Sequence, residues 1–87
     1  MKREDVYKLI DGERDYQNKR WSSVASQGTH DTPEAWLLYM EDYIAEAKHI
    51  VSREAGETAY SKAMEIIRKV AGMCVAAMEE IDTAPRK

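Results

Sequence analysis

The carboxylates of "MEDYIAEAKH" are the first groups whose spacing suggests chemistry. Glu41 or Asp42 together with Glu46 stand four or five residues apart, near one face of a helix, and Glu65 follows further on. Two or three such oxygens suit Mg²⁺, which takes carboxylates and water in an octahedron. The same residues also read as a solvated acidic stripe paired with Lys48, Arg53 or Arg68. A second group lies in "ERDYQNKRW", Glu13 to Trp21. Arg14 and Arg20 carry forked donors that match phosphate, while Tyr16 and Trp21 offer faces on which a base stacks. Gln17 is placed either against that base or against a neighbouring helix. Trp36, Arg68 and Lys69 extend the set, although a tryptophan is more commonly a core residue. His30, just ahead of a helix start, is either a hydrogen-bond donor to a ligand or an exposed loop residue. The four glycines are scattered, so there is no glycine-rich phosphate loop, and no nucleophile-base triad is evident.

The elements that must hold these residues are three helices. Val6, Leu9, Ile10, Tyr16 and Trp21 recur at helical spacing over about 3–21, with Gly12 as a weak point. Glu13 falls on that apolar stripe, where a carboxylate needs a partner, either Arg68 or the edge of a base. Residues 22–32, "SSVASQGTHDT", read as a loop. In "DTPEAW", Thr32 or Asp31 caps, Pro33 suits the first helical position and Glu34 favours the positive end of the dipole. A helix over 33–53 follows, stopped at Gly56, and a third spans about 58–81 before a polar tail at 83–87.

The third helix carries two apolar rows. Tyr60, Met64, Ile67, Ala71, Cys74, Met78 and Ile81 are spaced 4, 3, 4, 3, 4, 3, the repeat of a left-handed packed seam. Ala63, Ile66, Val70, Met73 and Ala77 flank it. Either the two rows form one broad core-facing stripe, or the second face meets another subunit, with Gly72, Ala76 and Ala77 allowing close approach. The predicted fold is therefore all-α: a three-helix antiparallel bundle or hairpin in a single domain, oligomerising through the C-terminal helix.

Composition narrows the function. A chain of 87 residues buries only about 60–65% of its unfolded surface, so its own core is thin and a partner subunit is expected. A net charge of −3 argues against a general DNA or RNA binder, which needs a basic footprint. Cys74 is the single cysteine, which removes an intrachain disulfide and a cysteine-built zinc site. No 18-residue apolar run and no signal-peptide core appear, so no membrane partner and a cytoplasmic location are expected.

Taken together, "ERDYQNKRW", the loop His30, "PEAWLLYMEDYIAEA" and "AMEIIRKVAGMCVAAMEE" resemble small phage-encoded helical proteins related to the MazG-like, all-α nucleoside triphosphate pyrophosphohydrolases. The resemblance spans roughly Leu9 to Glu80. In that superfamily an ExxE pair on one helix and an ExxD pair on the next hold Mg²⁺, which activates water and bridges the phosphates. This chain departs from both pairs: Tyr43 stands three residues before Glu46, and Arg68 three residues after Glu65. A guanidinium beside a dication is repulsive. The resemblance with a degenerate metal motif implies a non-catalytic, cofactor-free nucleotide-binding homo-oligomer of phage type. Such a protein would sequester a host nucleotide signal, a cyclic dinucleotide or an ADP-ribose derivative, in the cytoplasm of an infected bacterium. The alternatives are a Mg²⁺-dependent pyrophosphohydrolase using Glu41, Asp42, Glu46 and Glu65, and a helical module that inhibits a host protein.

Overall fold

The computed structural model describes the backbone of residues 1–25 and 32–86, and the side chains of 1–20 and 32–86. Three α-helices make up the described chain: α1 (Arg3–Ala25), α2 (Pro33–Arg53) and α3 (Glu57–Glu80). α1 runs through Gly12 and past Trp21 to Ala25, because Ser22, Ser23, Val24 and Ala25 contain no helix breaker and each costs only tenths of a kcal/mol. The α2 start forms as its sequence dictates. Thr32 accepts a hydrogen bond from the Ala35 N–H at 3.3 Å, Pro33 follows at the first turn and Glu34 faces the positive helix end. At the other end Gly56 has φ 90°, a conformation that L side chains rarely adopt, and it turns the chain from α2 into α3.

α3 is the central element. It packs against both α1 and α2, whose backbones do not approach each other closely among the described residues. Trp36 of α2 meets Met73 and Ala76 of α3, with Met40, Tyr43, Ala77 and Ile81 closing around them. Trp36 packs near Ala77 and Ile81 while Met40 meets Cys74 and Tyr43 meets Lys69, so α2 and α3 run antiparallel. On its other side α3 receives α1 through Gly72, whose missing side chain leaves room for Gln17 and Glu13.

The row that α3 buries is the flanking one. Ala59, Ala63, Ile66 and Met73 are buried, whereas Tyr60, Met64, Ile67 and Met78 of the heptad-spaced row are all more than half exposed. Gly72 and Ala76, read as small residues for a second subunit, are both buried inside this chain. Gly72 lies under Gln17 and Ala76 lies against Trp36. The two rows are therefore separate faces and not one broad stripe.

The surface is large for the mass. At 10.0 kDa a compact monomer exposes about 5,200 Å², and this chain exposes 7040 Å². Its radius of gyration, 14.3 Å, likewise exceeds the value of about 12 Å for a compact domain of this length. Large apolar side chains contribute to it: Leu37, Leu38, Ile44 and Val51 on α2 are exposed together with Tyr60, Met64, Ile67 and Met78 on α3. No helix of the described residues is long and apolar enough to cross a membrane.

Candidate functional site

Glu13 and Gln17 are one turn apart on α1, and both sit on the side that meets α3. They are the two buried polar residues among the described side chains, at 9% and 1% exposure. Burying a carboxylate costs several kcal/mol unless it is paired and hydrogen-bonded. Both oxygens of Glu13 are occupied: Oε1 accepts from Arg68 Nε at 3.0 Å and Oε2 from Gln17 Nε2 at 3.1 Å. Gln17 Nε2 also donates to the backbone carbonyl of Lys69 at 2.9 Å. That carbonyl has a second lone pair beyond the one used by its helix. The Gln17 Oε1 atom is buried with no hydrogen-bond partner.

The odd carboxylate on the apolar stripe of α1 is thus an anchor for α3. Its pairing with Arg68 is one of the two roles its position predicts. The Gln17 amide enters α3 only because position 72 has no side chain: a Cβ there would lie 2.8 Å from Gln17 Oε1, 2.9 Å from Nε2 and 3.0 Å from Glu13 Cγ. At this point of the α1–α3 contact the helices are joined by hydrogen bonds across a glycine. Spacing signals this in part, since Glu13 and Gln17 are polar neighbours at i and i+4 on an apolar stripe. Nothing local indicates that Gly72 receives them.

The remaining site residues are placed as follows. Arg14 donates from Nε to Glu79 Oε1 at 2.7 Å, so its guanidinium ties α1 to the end of α3. Arg68 keeps 46% of its side chain exposed and engages only its Nε with Glu13. Its terminal nitrogens carry four further N–H donors at that surface. Lys69 holds its Nζ 4.7 Å from the centroid of the Tyr43 ring, a cation–π contact that points toward α2. Tyr16 and Arg20, a further i, i+4 pair on α1, are exposed. Trp36 packs in the α2–α3 core and forms one wall of a shallow apolar recess of about 220 Å³, with Leu37, Met40 and Met78. His30 and the side chain of Trp21 lie outside the described residues.

Glu41, Asp42, Glu46 and Glu65 are all exposed. Among the described residues no three His, Cys, Asp or Glu side chains converge in a way that could hold a metal ion. The structure therefore brings together Glu13, Arg14, Gln17 and Arg68 along the α1–α3 contact, where Lys69 contributes only its carbonyl, sets the Lys69 ammonium and Trp36 on the α2–α3 side, and leaves Glu41, Asp42, Glu46 and Glu65 exposed. Gln17's seat on Gly72, Glu79 as the partner of Arg14 and Tyr43 as the partner of Lys69 are contacts that spacing alone does not indicate.

Chemically this is an all-α scaffold whose assembled polar groups are donors and anchors. Glu13 is committed to two donors, which suits positioning and not proton transfer. No protein family, curated protein or solved structure matches this chain.

Proposed function

We propose that the chain is the subunit of a non-catalytic homo-oligomer that binds a nucleotide, with Arg68 as the principal phosphate contact. The observation that carries the reading is the way Arg68 is held. A buried carboxylate fixes its Nε, and the outer fork of the guanidinium remains at the surface. A guanidinium positioned from behind loses less rotamer freedom when it takes a phosphate. Arg20 and Tyr16 on the exposed flank of α1 add a second forked cation and a ring on which a base stacks. With the resemblance to phage-encoded relatives of nucleotide pyrophosphohydrolases and the departures at Tyr43 and Arg68, the reading becomes sequestration of a host nucleotide signal. A cyclic dinucleotide or an ADP-ribose derivative in the bacterial cytoplasm is the proposed ligand class.

Thermal unfolding against linear and cyclic nucleotides, each with Mg²⁺ and with EDTA, tests this. Ligand at about a hundredfold its Kd adds about 2.7 kcal/mol, a rise of roughly 10–20 °C for a domain this small. The rise is expected in EDTA, reduced in Arg68→Ala and retained in Arg14→Ala, whose guanidinium is committed to Glu79. No rise with any nucleotide at millimolar concentration overturns the reading. A rise that requires Mg²⁺ would favour the pyrophosphohydrolase instead. The exposed apolar residues of α2 and α3 favour a second reading, a module that docks on a host protein. Its signature is a stoichiometric complex whose stability is indifferent to nucleotides.

A further inference from the structure

Most of the heptad-spaced row of α3 lies outside both intrachain contacts; Cys74 and Ile81, at its edge, turn toward α2. At 100° per residue, Tyr60, Met64, Ile67, Ala71 and Met78 fall within an arc of about 60°, and all but the half-buried Ala71 are exposed. On α2, Leu37, Ile44 and Val51 recur every seven residues, so they too form one stripe, and all three are exposed. Leu37 and Met78 line the same recess, which puts the two stripes on the same side of the molecule. Cys74 Sγ lies 3.9 Å from Met40 Sδ between them. The result is one apolar face, two helices wide and about 27 Å long from Tyr60 to Met78.

We infer that a second copy of the chain covers this face through a two-fold axis, with the two α3 helices antiparallel and centred at position 69. This rests on the homo-oligomeric reading above and adds the face and the register. Two observations select the occupant. The chain exposes 7040 Å² against about 5,200 Å² for a compact monomer of its mass. That excess over the whole chain, roughly 1,800 Å², exceeds the roughly 800 Å² per partner that a standard interface buries, so the chain has surface enough to cover with a second copy. The row is also self-complementary. Tyr60 and Met78, Met64 and Cys74, and Ile67 and Ala71 are each symmetric about position 69. An antiparallel pair therefore sets a larger side chain against a smaller one at the two inner layers, which is how packed layers interdigitate. A parallel, in-register pair would stack Tyr60 on its own copy and leave a gap at Ala71. In the antiparallel register the partner's Tyr60 arrives at Met78, beside a recess of about 220 Å³ that takes an aromatic side chain. A two-fold axis makes every such contact occur twice.

Light scattering on the eluting full-length protein, combined with disulfide mapping of Met64→Cys, tests the inference. The native chain is expected to run as a dimer or a multiple of one, and Ile67→Glu to lower the mass at least twofold while the helical circular dichroism is retained. Met64→Cys is expected to form, without reductant, a covalent dimer linked from position 64 to Cys74. Positions 64 and 74 of one helix are about 15 Å apart, too far for an intrachain bond, so this link reports the antiparallel register. A native chain that stays monomeric overturns both this inference and the oligomeric reading. An oligomer indifferent to Ile67→Glu overturns this face alone, and links of 64 to 64 or 74 to 74 overturn the register.

Discussion

Alanine placed at the two helical glycines, Gly12 and Gly72, is expected to move stability in opposite directions. Both sit inside helices, so intrinsic propensity alone favours alanine by about 1 kcal/mol at either site. At Gly12 a Cβ meets nothing within 4 Å, and the gain stands. At Gly72 the Cβ would lie within 3.0 Å of three atoms of Gln17 and Glu13. The Gln17 amide is the end of a flexible side chain, yet it is buried and holds two hydrogen bonds. Displacing it forfeits about 1 kcal/mol for each bond, and crowding the contact adds about 1–3 kcal/mol. After the propensity gain, Gly72→Ala should be destabilised by about 2–4 kcal/mol. For a domain of this length that lowers Tm by roughly 10–20 °C, whereas Gly12→Ala should raise it by roughly 5 °C. Thermal circular dichroism at one fixed protein concentration suffices, since self-association makes Tm concentration-dependent. The Gln17→Ala background supplies the check, because without the amide Gly72→Ala should cost little or gain. A Gly72→Ala protein as stable as Gly12→Ala would refute the claim that Gln17 is seated on Gly72.

Two further perturbations test the packing on each side of α3. Glu13→Gln keeps the shape but presents an amide N–H₂ to Arg68 Nε or to Gln17 Nε2, both of them donors. Urea unfolding should show a loss of about 1–2 kcal/mol, in the range of a charge-assisted bond to a partly exposed partner, and an unchanged midpoint would contradict the anchor role. Trp36→Ala removes the largest side chain of the α2–α3 cluster, which Met73 and Ala76 cannot refill. A loss of about 3–5 kcal/mol is expected, enough to abolish cooperative thermal unfolding, and a sharp transition near the native Tm would show that the core lies elsewhere.

The α2 start was legible to within one residue, Thr32 or Asp31 as cap, because the cap, Pro33 and Glu34 act on their own first turn and need nothing distant; Thr32 takes the role. Glu13 was legible as an anomaly: a carboxylate on an apolar stripe demands a partner, and Arg68 is that partner. Reach toward a ligand was harder to read for Arg14 and Lys69, whose cations turn to Glu79 and to the Tyr43 ring. A long side chain can choose among several acceptors at equal local cost. Trp36 is ambiguous for a related reason, since the same indole serves a core or a stacking surface, and Met73 and Ala76 claim it here.

Sequence by itself determined the three helices, the capped start of α2 and the presence of two apolar rows on the last one, because periodicity and end signals act within a few residues, while the end of α1, read at about 21, lies at Ala25. Tertiary structure decided which row is buried. Both rows are apolar and equivalent along the chain, and the choice falls to fit. The small Ala59 and Ala63 with Ile66 and Met73 lie buried inside the chain, and Gly72 opens the one gap that admits Gln17. Tyr60, Met64 and Ile67, the stronger pattern on paper, are left facing outward.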